Sequence, residues 1–227
     1  MATDPTLAIA LLAPGAIAAI TFHEAAHGYV ARYFGDNTAA LRGRVTLNPL
    51  KHIDLFGTIL LPAMLVALNT GFVFGYAKPV PVNPNALAHP KRDMIWVAAA
   101  GPAMNVVLAL VSFLLIFPAK LTGLPVERWL VPVLLNSILI NVLLAIFNLI
   151  PLPPLDGGKV AIGLLPESLA EPFSKVGRYG FLILIGLLVV LPSVGKNAGV
   201  DLDIFDWIVA PPVRFVMGLV RSVALAR

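Results

Sequence analysis

The apolar positions of this chain fall in long unbroken stretches, not in alternation or in narrow stripes. Pro5–Phe22 carries no charge, and Leu55–Ala77, Met94–Ala119, Trp129–Leu155 and Tyr179–Gly195 repeat the pattern. A helix needs about 20 such residues to cross the hydrocarbon of a bilayer. The pattern therefore predicts an all-α, polytopic transmembrane helical bundle forming a single membrane-embedded domain over residues 1–227. The core is expected over about 7–165, with C-terminal membrane segments near 179–195 and 204–223.

Breakers modify this picture. Leu55–Ala77 contains Gly57, Pro62, Gly71 and Gly75, which predict a re-entrant or shallow membrane segment. The helix over Trp129–Ile150 must unwind at Pro151, Pro153 and Pro154, which cannot donate backbone hydrogen bonds. A short helix is expected over Lys159–Leu165 and a full span over Tyr179–Val194. Pro211, Pro212 and Arg214 make Ile204–Val223 either a kinked last span or an interfacial helix anchored by Trp207. Ala40–Asn48 and Phe72–Val82 have β-like composition and predict a small hairpin, either purely structural or an exposed edge on which an unwound peptide strand could pair.

Composition agrees with a membrane protein: 59% of residues are hydrophobic and 12% charged, where soluble domains carry about 25% charged residues. The net charge of +4 sits in short loops between apolar runs. It reads as topogenic charge and contact with lipid headgroups, not as a nucleic-acid surface. There is no cysteine, so disulfides and thiolate metal ligands are excluded. The opening MATDP lacks the basic region of a secretory signal, and no internal repeat is visible. Hydrophilic stretches of about 20 residues at most are too short for a folded extramembrane domain.

The first run ends in His23-Glu24-Ala25-Ala26-His27. Residues four apart share a helix face, so both imidazoles can meet one metal ion. Glu24 lies about 100° round the helix, within reach of a metal-bound water. That arrangement serves hydrolysis: the ion lowers the pKa of water, and the carboxylate takes its proton and later passes it to the leaving amine. Ionisable side chains in a membrane helix cost at least about 2.5 kcal/mol each, so three within five residues imply a site.

A catalytic zinc commonly has three protein ligands and one open position. His52 and His89 stand among loop residues beside lysines and read as solvated. Asp156 is the better third ligand: no charged residue separates it from Arg128, and it follows the proline break and precedes Gly157 and Gly158. It can equally cap the next helix. Asn148, at the end of its helix, and Asn105, near the start of the Met94–Phe117 helix, offer buried amides. Either can stabilise an oxyanion or hold substrate backbone, while Asn105 can instead bond between helices.

His23–His27, the GPAMN of Gly101–Asn105, and NLIPLPPLDGG from Asn148 to Gly158 resemble, in order and spacing, the motifs of the site-2 proteases, zinc-dependent intramembrane proteases. GRVTLNPLKHIDLFGT and FGYAKPVPVNP resemble a compact prokaryotic subgroup, and the similarity runs from about residue 15 to 195. The resemblance implies one zinc ion held by His23, His27 and Asp156, with Glu24 as catalytic base and acid and Asn148 orienting the peptide. It implies cleavage of transmembrane segments of membrane proteins, either to release regulators or to clear membrane peptides. It also implies a multi-pass protein of the cell (inner) membrane. The chain has no room for an inserted PDZ domain or an appended CBS pair.

A shared ion constrains topology. The end of the first helix and Asp156 must lie at one side of the membrane or meet at its midplane, so an even number of crossings separates them. Of three intervening runs, Leu55–Ala77 is the one expected to turn back. Arg32, Arg42, Arg44, Lys51, Lys78, Lys91 and Arg92 then share a face, which the positive-inside rule makes cytoplasmic, and the active site opens nearer that side. A metal transporter would want ionisable groups on several helices. A scaffold with a structural zinc would not need Glu24.

Overall fold

A computed structural model describes residues 5–68, 75–123 and 125–224. Helix α1 (Pro5–Tyr33) is followed by the short α2 (Thr38–Leu41). A 3₁₀ turn (Pro49–His52) and a π-helical turn (Leu55–Leu60) lead into α3 (Leu61–Ala67). Then come α4 (Pro90–Lys120), α5 (Val126–Asn148), α6 (Asp156–Leu164) and α7 (Glu167–Val176). The chain continues through α8 (Gly180–Ile185) and α9 (Leu191–Ala198) to α10 (Ile204–Ile208) and α11 (Ala210–Ala224).

Among the described residues four helices are long and apolar enough to cross a membrane: Ile9–Tyr33, Pro90–Lys120, Val126–Asn148, and a run of helical turns over Glu167–Ala198. The first three pack together, and α6 lies against α4. Ile116, Leu134 and Ile138 form a core between α4 and α5, closed by Val213, Met217 and Val220 of α11. Leu110, Leu114 and Leu115 stay exposed on α4, as a lipid-facing surface requires. Within the last segment, Pro211 and Pro212 sit in the first turn of α11, where a missing N–H costs no helical bond. The helix then runs 15 residues, short of a span.

Leu55–Ala67 forms a shorter apolar helix than a crossing needs. Tyr76 N donates to Gly57 O at 3.0 Å, and Thr58 Oγ1 donates to Tyr76 O at 2.9 Å. The chain is thus back beside its starting point by residue 76. Gly71 and Phe72–Phe74 lie outside the described residues.

The expected β-like hairpin is corrected: there is no β-strand among the described residues. Ala40 and Leu41 end α2, Gly43 turns the chain at φ +62°, and Asn48 caps the next turn by accepting from Leu50 N. Residues 75–82 form no regular structure, and three of their amides go to unrelated partners. Tyr76 N reaches Gly57 O, Lys78 N reaches His52 O, and Val80 N reaches the Glu24 carboxylate. Pro79 and Pro81 have no N–H to give, so no ladder forms.

Candidate metal centre

Helix α1 carries His23 and His27 on one face, and both are buried. At their level α4 comes close enough that only glycine fits. A Cβ on Gly101 would stand 2.5 Å from His23 Cε1 and from His27 Nε2. The third group arrives from beyond α5. That helix stops at Asn148 because Pro151, Pro153 and Pro154 cannot extend it. The unwound turn, with a cis Pro153–Pro154 bond, delivers Asp156 as the first residue of α6. A Cβ on Gly157 would run into the Leu149 carbonyl, so glycine lets the chain fold back so tightly. Asp156 starts its helix without capping it; Leu155 occupies the cap position.

The three side chains converge. Asp156 Oδ2 lies 3.2 Å from His23 Nε2 and 3.3 Å from His27 Nε2, and the two nitrogens are 3.1 Å apart. Each imidazole is oriented through its other nitrogen. His27 Nδ1 donates to Val97 O at 2.7 Å, and His23 Nδ1 donates to Asn105 Oδ1 at 2.6 Å. With the protons on Nδ1, both Nε2 atoms point lone pairs at a carboxylate oxygen, and a cation is needed among them. Ligands about 2.0–2.2 Å from a tetrahedral zinc stand about 3.3–3.5 Å apart, within a few tenths of an ångström of these separations. The donor set fits a divalent metal. Lys159 Nζ donates to Asp156 Oδ1 at 2.9 Å, engaging that oxygen and leaving Oδ2 towards the histidines.

The cluster lines a cavity of about 640 Å³ that also takes in Glu24, Tyr76, Val80, Asn148 and Lys159. Glu24 Oε2 accepts from Val80 N at 2.8 Å, which ties α1 to the 75–82 segment. Asn148 Nδ2 donates to Leu144 O at 3.1 Å. Asn105 is fully buried behind His23; its Nδ2 donates to Ala19 O at 3.2 Å and to Asn141 Oδ1 at 2.9 Å.

The other two histidines stay apart from the cluster. His89 is exposed. His52 is 2% exposed, contrary to the solvated loop expected for it, and its Nε2 bonds Thr46 O at 2.9 Å. Lys159 and Val80 at the cavity, and Asn141 behind it, are three further polar contacts that the motifs do not include. Only Asn141 left a sharp signal, as an amide inside the uncharged Trp129–Leu155 run.

The sequence pattern of peptidase family M50 matches residues 11–127 and 119–191. The chain belongs to peptidase family M50. Three relatives of this M50 peptidase bear the name "Putative zinc metalloprotease". YwhC of Bacillus subtilis (strain 168) is 40% identical over 76% of this chain and 77% of its own. Rip2 of Mycolicibacterium smegmatis is 31% identical over 82% and 69%, and Rip2 of Mycobacterium tuberculosis (strain H37Rv) is 26% identical over 85% and 71%. No solved structure matches significantly. A family match along most of the chain, a buried His/His/Asp cluster and a bundle of membrane-length helices together make this M50 member an intramembrane zinc endopeptidase of the site-2 protease kind.

Proposed function

We propose that His23, His27 and Asp156 hold a single zinc ion and that Glu24 is the general base and acid for cleavage of a transmembrane segment of a membrane protein or peptide. The convergence of three ligand atoms within 3.1–3.3 Å at the cavity wall carries this reading. Zinc, when bound, supplies Lewis acidity, lowering the pKa of water and polarising a peptide carbonyl. Glu24 takes a proton from the attacking water and delivers it to the leaving nitrogen. The Val80 amide holds one Glu24 oxygen and so limits how the carboxylate turns. Asn148, on the same cavity, orients the substrate backbone or meets the developing oxyanion. For Asn105 the bond to His23 supports a positioning role in place of the substrate contact expected of it.

We further propose that the cavity opens towards the cytoplasm. The bond from Tyr76 N to Gly57 O, at the start of the 55–67 segment, supports an even number of crossings between α1 and α6. Basic residues of the loops between α1 and α4 would then share the cytoplasmic face.

The test compares the unmutated protein with Glu24→Gln for bound zinc and for cleavage of a panel of single-span substrates in proteoliposomes. Equal zinc is expected, with cleavage at least about 100-fold slower in the variant, as befits loss of a general base. Cleavage at the unmutated rate by Glu24→Gln would remove Glu24 from the chemistry.

A further inference from the structure

Behind the metal cluster a chain of hydrogen bonds crosses three helices. His23 Nδ1 meets Asn105 Oδ1 at 2.6 Å, Asn105 Nδ2 meets Asn141 Oδ1 at 2.9 Å, and Asn141 Nδ2 meets Ser137 O at 2.9 Å. Asn105 and Asn141 are fully buried. A second contact takes Asn105 Nδ2 to Ala19 O at 3.2 Å, and Ser137 Oγ shares a bond of 2.9 Å with Ser112 Oγ.

Two members of this chain have no choice of polarity. Backbone carbonyls can only accept. Ser137 O therefore requires the Asn141 NH₂ to face it, which aims Asn141 Oδ1 at Asn105. Ala19 O makes the same demand on Asn105. Both constraints turn Asn105 Oδ1 towards His23, so that His23 Nδ1 must be the donor and Nε2 keeps its lone pair. An Asn105 flipped the other way would offer NH₂ to His23, draw the proton to Nε2, and leave a nitrogen unable to bind metal.

We propose that Asn141 is a positioning residue of the metal site, acting through Asn105 to fix the His23 tautomer that can ligate; this rests on the zinc reading above. His27 needs no such relay, because its Nδ1 already faces a backbone carbonyl, that of Val97. His23 faces an amide that can turn, and Asn141 supplies what stops it turning. Ala19 O alone, at 3.2 Å, is the longer of the two bonds holding it.

The experiment measures zinc dissociation constants by chelator competition on the full chain in detergent, alongside thermal stability. Asn141→Leu keeps the approximate volume but neither accepts from Asn105 nor donates to Ser137, and its Kd for zinc should rise about tenfold. Asn141→Asp, kept neutral by burial, has the same acceptor and donor polarity as the amide and should stay within about threefold of the unmutated Kd. A normal Kd for Asn141→Leu despite lower thermal stability would overturn the proposal, leaving only a packing role. Equal weakening in both variants would overturn it too, since polarity would not matter. Should Asn141→Leu not fold, the ¹⁵N shifts of His23 in the unmutated chain stripped of zinc decide: a proton on Nδ1 is expected, and one on Nε2 overturns the relay. His23→Ala separates the two ideas, because a variant that kept full zinc affinity would sink the metal reading itself.

Discussion

At Gly101 the backbone of α4 comes so near the His23 and His27 rings that hydrogen is the only substituent with room. Neither ring can retreat, since each is anchored through Nδ1, to Asn105 and to Val97 O. Gly101→Ala should therefore displace one imidazole and weaken zinc binding by roughly 10–100-fold, the range seen when ligand orientation is disturbed. Chelator competition would read this directly, and unchanged affinity would mean the helices shift apart at little cost. The His23/His27/Asp156 cluster was legible in the sequence, because helical spacing forces His23 and His27 onto one face and a proline break explains a buried Asp156. What the amides contact was not legible. An asparagine at depth announces a polar partner, but only the packing of α1, α4 and α5 sets Asn105 against His23. His52 misled through its neighbour: Lys51 reaches solvent while the imidazole turns in against Thr46.

Among the elements, the 75–82 segment shows why β-like composition did not become a strand. Strand propensity describes how side chains fit a pleated, half-buried surface. Here prolines at 79 and 81 withhold donors, and the amides of Tyr76, Lys78 and Val80 are drawn to a carboxylate and two carbonyls of helical turns. The segment is held at its far end by Asp36, which accepts from Thr38 N at 2.9 Å and from Asn83 N at 2.6 Å. Burial pushes the Asp36 carboxyl up, but the bonds from Thr38 and Asn83 outweigh it and hold the group below its ordinary range. A depressed folded pKa contributes stability that is fully present above about pH 4 and is lost as pH falls through the lowered value. Exchange protection of the Asn83 amide, corrected for intrinsic rates, should therefore be steady near neutrality and fade at acid pH. In Asp36→Asn the protection should be weaker at neutrality and show no acid transition. Protection that survives acidification in the unmutated protein would detach this tether from the Asp36 charge.

For the whole molecule, the decisive property is which membrane face each loop meets. Helices α1, α4 and α5 have the length to cross, whereas Leu55–Ala67 does not, and Tyr76 lies back against Gly57. On the proposed topology two crossings separate the end of α1 from α6, which would let residues 133 positions apart in sequence, His23 and Asp156, share one site. Had residues 55–76 crossed, an odd number would intervene and the two ends of the site would sit on opposite faces. Cysteine-free wild-type sequence makes the arrangement directly measurable. A single cysteine replacing Leu68, exposed just after α3, should react with an impermeant thiol reagent from the same side as cysteines replacing Lys51 and Lys91. In right-side-out vesicles all three should be protected, and in inverted vesicles all three should label. A cysteine at Thr122, between α4 and α5, should show the reverse pattern. Labelling of position 68 with the Thr122 set would put a crossing between α1 and α4 and break the topology on which the cytoplasmic opening of the cavity rests.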